Sequence, residues 1–180
     1  MSLRLIALPL AALMTGLVTS GEAVAACTSF PQPGVEWRRC LHDGANFADA
    51  DVSGGDLRDT SFRRSSFDGA ILVEIRARRA HFTSASLVGA DLTGADLTLV
   101  EFTNADLTEA SLAGATLRRT SFVNATLRGA DFTGAEPLEA DFARADFSGA
   151  TWIDGTTVCA EGSIGICRPA RPEQASDISN

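Results

Sequence analysis

The sequence predicts a repeat solenoid whose coil has four faces, and two periods carry that prediction. Between Phe47 and Trp152 every fifth residue is a large apolar side chain, with Ala77 and Pro137 the exceptions. A small residue, most often Ala, stands two places before nearly every such centre. This spacing matches neither the roughly 3.6-residue period of an α-helix nor the two-residue period of an ordinary strand. Self-similarity of this kind marks a repeat architecture. Within it Phe62, Phe82, Phe102, Phe122 and Phe142 recur every 20 residues, or four pentads, so they fall in one column on one face.

The elements follow in chain order. Arg4 and the terminal amine precede an apolar stretch over residues 5–18, a polar spacer over 19–22 and the A-x-A cleavage signal Ala23-Val24-Ala25. Residues 1–25 are read as an export signal. The stretch is too short to span a bilayer comfortably and is interrupted by Pro9 and Gly16, so no transmembrane segment is expected in the mature protein. Val24-Ala25-Ala26-Cys27 also resembles a lipobox, which makes a lipid anchor at Cys27 the alternative. Against it stand the polar spacer and the loss of a partner for Cys40. The expected location is the periplasm or the cell exterior.

The four cysteines form two local pairs, Cys27/Cys40 before the repeats and Cys159/Cys167 after them. Both are read as disulfides, each in an end cap, residues 26–44 and 155–168. A shared four-cysteine zinc site needs all four sulfurs on one ion, which the intervening solenoid forbids. Trp37 is in phase with the apolar centres and belongs to the cap or to a degenerate first coil. The repeats proper run over 45–154. The tail, 169–180, is polar and proline-bearing and is expected to be disordered.

The pentads take the form small, polar, Leu or Phe, polar, Gly or polar, seen cleanly in Gly-Ala-Asp-Leu-Thr at 89–93 and again at 94–98. They resemble the pentapeptide-repeat family over about three fifths of the chain. That resemblance implies an all-β fold, a right-handed quadrilateral parallel β-helix, with the centre and the small residue pointing inward. The pentads would make about five and a half coils, roughly 26 Å long at strand spacing.

The surface offers few chemical groups. Net charge is −8, every basic residue is Arg, and Tyr and Lys are absent. An acidic surface argues against direct nucleic-acid binding and against anionic lipid. His42 and His81, the two histidines, are both expected at the surface. The Asp residues preceding the centres, such as Asp91, Asp96 and Asp106, are read as turn formers. No phosphate loop, metal-ligand cluster or nucleophile motif is found, so neither an enzyme nor a cofactor is expected.

One face collects the candidate interaction residues Arg58, Arg76, Arg78, Arg79, Arg118 and Arg119, interleaved with Asp56, Asp59, Asp96, Glu136 and Glu139. It reads as a salt-bridged solvated face or as a site for an anionic partner. Ala77, among these arginines, should leave the core underfilled and produce a dent. The expected function is a non-catalytic exported scaffold presenting flat faces to a protein or envelope partner, with end-to-end pairing of two rods as a further possibility. Two alternatives stand beside it. One is a ligand-binding protein using the arginine-lined dent. The other follows from the resemblance: family members that protect or inhibit DNA gyrase mimic duplex DNA. This chain departs from those members in its export signal, its charge-balanced face and its lack of an apolar helical tail.

Overall fold

The computed structural model describes residues 26–170. The expected signal peptide and residues 171–180 of the tail lie outside the described residues. Parallel bridges join each rung to the residue 20 positions on, from Glu36–Asp56 to Asp131–Thr151, without a slip. The pairing therefore reaches back through residues 36–44, within the segment expected to cap the repeats. The one described helix is a short 3-10 turn, Ala26–Thr28. No described helix is long and apolar enough to cross a membrane.

One pentad explains the repeat. Asp96 N–H donates back to Ile75 C=O at 2.9 Å, whereas Leu97 and Leu99 donate forward to Thr116 and Arg118 at 2.9 Å each. Val100 N–H closes a turn onto Leu97 C=O at 3.0 Å. The remaining donor, Thr98 N–H, finds no backbone partner and is taken by the Asp96 carboxylate at 3.1 Å, which also accepts from the Thr98 hydroxyl at 2.6 Å. Asp51, Asp91, Asp106, Asp131, Asp141 and Asp146 bond the same backbone position in their own pentads. Buried or half-buried backbone donors must be satisfied, and the aspartate of the repeat serves the one that the ladder omits.

Each turn also demands a left-handed residue. The second residue after every centre, from Gly34 to Gly149, has positive φ, the signature of a type II turn. Glycine fills many of these positions without strain. Leu99, with φ of 61°, is held there by the coils on either side.

The interior is a set of stacked columns. Phe62, Phe82, Phe102, Phe122 and Phe142 pile ring on ring with centroids 5.0–5.3 Å apart. From Val52 to Phe132 the centres are fully buried, each large one contributing about 1.5–3 kcal/mol. At Ala77 the expected underfilling is absent. Ile75 occupies the small-residue slot two places earlier and is itself fully buried, so large and small have exchanged places and the volume is conserved.

His42 is another departure from expectation. Instead of lying free at the surface, it heads the phenylalanine column, stacked on Phe62 at 5.6 Å and 13°. Its Nε2 is buried without a hydrogen-bond partner, and burial lowers its pKa below the usual 6.5.

The two ends are closed differently. At the N-terminal end Cys27 is joined to Cys40, and Trp37 Nε1 donates to Ser29 C=O at 3.2 Å. At the other end the chain leaves the coil at Asp154, whose carboxylate accepts from the Thr157 hydroxyl and from the Thr157 and Thr156 N–H groups. Those bonds push its pKa down to about 2. Antiparallel bridges Asp146–Ile164, Thr151–Val158 and Cys159–Pro169 then cover two faces, tied by Cys159–Cys167. Pro137 lies on the last coil, on a face where no described bridge continues beyond Glu136, so its missing N–H costs no ladder bond.

Two outcomes follow from this packing. Ile75→Ala should cost about 2–5 kcal/mol by opening a cavity beside Ala77. Adding Ala77→Leu should recover much of that loss, giving a non-additive double-mutant cycle in urea unfolding. For His42, the unfolded chain takes up a proton before the folded one does. Stability should therefore fall as pH drops through about 6.5 toward the lower folded value. His42→Phe should abolish that loss and add about 1 kcal/mol at neutral pH by removing an unsatisfied buried nitrogen.

Candidate functional site

The face carrying centres Trp37, Leu57, Ala77, Leu97, Leu117 and Pro137 holds all six candidate arginines. Its geometry follows from the pentad, because the residue before each centre and the two after it point outward. The three outward rows on this face read Glu36, Asp56, Arg76, Asp96, Thr116, Glu136; then Arg38, Arg58, Arg78, Thr98, Arg118, Leu138; then Arg39, Asp59, Arg79, Leu99, Arg119, Glu139. Eight arginines thus face six acids on a chain whose net charge is −8.

Half of this charge is internally spent. Arg58 forks onto Asp56 through Nε at 2.8 Å and Nη2 at 2.6 Å, and Arg76 approaches the same carboxylate at 3.7 Å. Arg79 forks onto Asp59 in the preceding coil at 2.6 and 3.1 Å. Arg119 reaches Glu139 in the following coil at 2.6 Å. Burial raises the Asp56 carboxyl, but hydrogen bonds and charge from Arg58, with the charge of Arg76, outweigh it and leave the pKa depressed. The Asp59 and Glu139 carboxyls are depressed by hydrogen bonds from Arg79 and Arg119 respectively, reinforced by the same guanidinium charges.

Arg78 and Arg118 differ. Neither side chain makes a hydrogen bond or ion pair within 4.0 Å to any described residue. Between them, on the rung of Thr98 and Leu99, lies an open groove of about 420 Å³ that extends to Leu138. The concavity therefore sits one to three rungs beyond Ala77, where Thr98 and Leu99 interrupt the rows of long charged side chains. Of the groove's lining, Arg78, Arg118, Arg119 and Glu139 were singled out in the sequence, whereas Thr98 and Leu99 were not. What marks the groove, the pairing state of each arginine, depends on coil-to-coil geometry.

The remaining candidates do not converge on chemistry. His81 Nδ1 lies 2.9 Å from Glu101 in the next coil, both at the surface. Among the described residues no group of three or more His, Cys, Asp or Glu is placed to hold a metal ion. The two disulfides stand at opposite ends of the ladder and point to an oxidising compartment.

Loss of these carboxylate interactions should be measurable. A depressed carboxyl contributes stability that is present above its unfolded pKa and lost as pH falls through the folded value. Urea midpoints should accordingly show a separate fall below about pH 4 as Asp56, Asp59, Glu139 and Asp154 protonate. The fall should be smaller in the Asp59→Asn, Glu139→Gln variant.

Comparison with known proteins places the pattern. A family profile described as Pentapeptide repeats matches in 8 copies, over residues 43–76, 60–98, 101–136 and 120–151. Among solved structures, a trypsin-treated form of QnrB1, a plasmid-mediated fluoroquinolone resistance protein, is 20% identical with a TM-score of 0.45. That match covers 66% of this chain, which spans 65% of the length of the other. HetL is a pentapeptide repeat protein involved in heterocyst differentiation regulation, from the cyanobacterium Nostoc sp. strain PCC 7120. It is 19% identical with a TM-score of 0.29, over 75% of this chain and 95% of that one. A pentapeptide repeat protein from the Arabidopsis thaliana thylakoid lumen is 20% identical with a TM-score of 0.20, over 79% and 76% of the two chains. No curated protein sequence matches significantly.

Proposed function

The chain belongs to the pentapeptide-repeat family, whose fold is a right-handed quadrilateral β-helix, and from that premise we propose that it is a non-catalytic exported scaffold presenting flat faces to a protein or cell-envelope partner. One observation carries the reading: an unbroken ladder of 20-residue rungs holds outward side chains in straight rows on a rigid support. Repeat solenoids bind through such extended surfaces. The two disulfides support an extracytoplasmic setting, in keeping with the expected signal over residues 1–25. Mimicry of duplex DNA calls for continuous negative faces. The arginine rows of the Ala77 face give that reading no support.

Fractionation of the native host tests export. The expected product is a periplasmic or secreted species that begins near Ala26 and gains four hydrogens on reduction. A full-length reduced cytosolic protein would overturn the proposal. Site-specific photocrosslinkers replacing Glu136, exposed on the Ala77 face, and Val88 on the opposite face test the scaffold. Discrete adducts from one face are expected, whereas no adduct from any face would sink a scaffolding role.

A further inference from the structure

On that scaffold reading rests a more specific assignment, carried by Arg78 and Arg118, the two of the six candidate arginines that make no ion pair with a described residue. Arg78 and Arg118 flank a rung whose outward residues are Thr98 and Leu99, and Leu138 lies just past Arg118. Every neighbouring carboxylate that could neutralise them is engaged or held beyond ion-pair distance. Asp56 and Asp59 serve Arg58, Arg76 and Arg79. Asp96 is turned onto Thr98, and Glu139 is held by Arg119, its carboxyl depressed mainly by that hydrogen bond and charge and slightly by the charge of Arg118. Leu99 and Leu138 remain 40% and 54% exposed, where most outward positions are polar. The groove thus offers cation, apolar, cation, apolar, in that order along the axis.

We propose that this groove binds an acidic segment of a partner polypeptide, extended along the solenoid. Two of its carboxylates would meet Arg78 and Arg118, with apolar side chains on Leu99 and Leu138. The spacing suits such a segment. Arg78 and Arg118 are two rungs apart, about 10 Å at strand spacing, and a polyproline-type chain, with three residues per turn and a rise of about 3.1 Å each, spans that gap in three residues and returns a side chain to the same side. Guanidinium forks match carboxylates in geometry as well as charge. Charge also selects against other anions. Glu139 also lines the groove but is paired with Arg119, whereas a bilayer or a nucleic-acid duplex is far wider than the groove and would also meet Glu136 and the acidic remainder of a chain of net charge −8. Free phosphate has nothing to place on the two leucines.

The test is fluorescence anisotropy of the full oxidised protein with a labelled, capped peptide repeating Asp-Leu-Pro, whose carboxylates recur every third residue. Its amide counterpart with Asn for Asp, inorganic phosphate and phosphatidylglycerol vesicles serve as competitors. The acidic peptide should bind and be displaced by neither phosphate nor vesicles, and the Asn peptide should not compete. Arg78→Ala with Arg118→Ala should weaken binding at least about tenfold, the scale of one lost charge-assisted contact, and Leu99→Ser a few-fold. Arg63→Ala with Arg64→Ala, on the adjacent face, should leave affinity unchanged. Circular dichroism should confirm that the variants are folded. Equal affinity in the Arg78/Arg118 variant, equal loss in the Arg63/Arg64 variant, or preferential displacement by phosphate or vesicles would overturn the assignment. Photocrosslinks confined to another face would also overturn it while leaving the scaffold reading intact.

Discussion

The hydrogen-bond ladder between residues 20 apart governs everything else in this molecule. A coil that donates forward at two residues of each pentad and back at one can be satisfied only if its neighbours have the same length. The constraint is collective. One residue too many in a single pentad would displace every later side chain by one position, sending centres outward and charges inward. That is why the turns keep a strained left-handed residue even where it is Leu99, Arg79 or Glu109. Relief of local strain would cost the register.

From this constraint the chemistry of the repeat follows. The ladder uses the donors of three residues per pentad and the turn uses a fourth. The aspartate before the centre exists for the fifth, and for that reason is a poor guide to catalysis or metal binding despite its abundance. The interior columns are the other face of the same rule, since residues in register along the axis must stack. Phenylalanine over phenylalanine at about 5 Å is the spacing of the rungs read through side chains.

Much of this was legible from spacing alone: the four faces, the phenylalanine column and the arginine rows are all periodic. The exchange at Ile75 and Ala77 was hidden, because a centre read by itself looks like a defect and the compensating volume lies two residues earlier. His42 was hidden for a related reason. In the sequence it falls in an apparent cap, and its place at the head of an aromatic column emerges only once the first rung is seen to pair with Ser61. The antiparallel closure at the C-terminal end has no period to announce it. Nor does composition distinguish Arg78 and Arg118 from their paired neighbours, since a guanidinium's partner is chosen across coils.

Pro137 has a consequence for how such a chain can change length. A duplicated block of 20 residues inserted among the interior rungs would find donors and acceptors on both sides, and the rod would simply grow. The same block placed after the last coil would meet a proline with no proton to give and a folded-over cap on two of the four faces. Lengthening is therefore open from within and closed at this end. The proline that interrupts the apolar period is where the repeat stops being copyable.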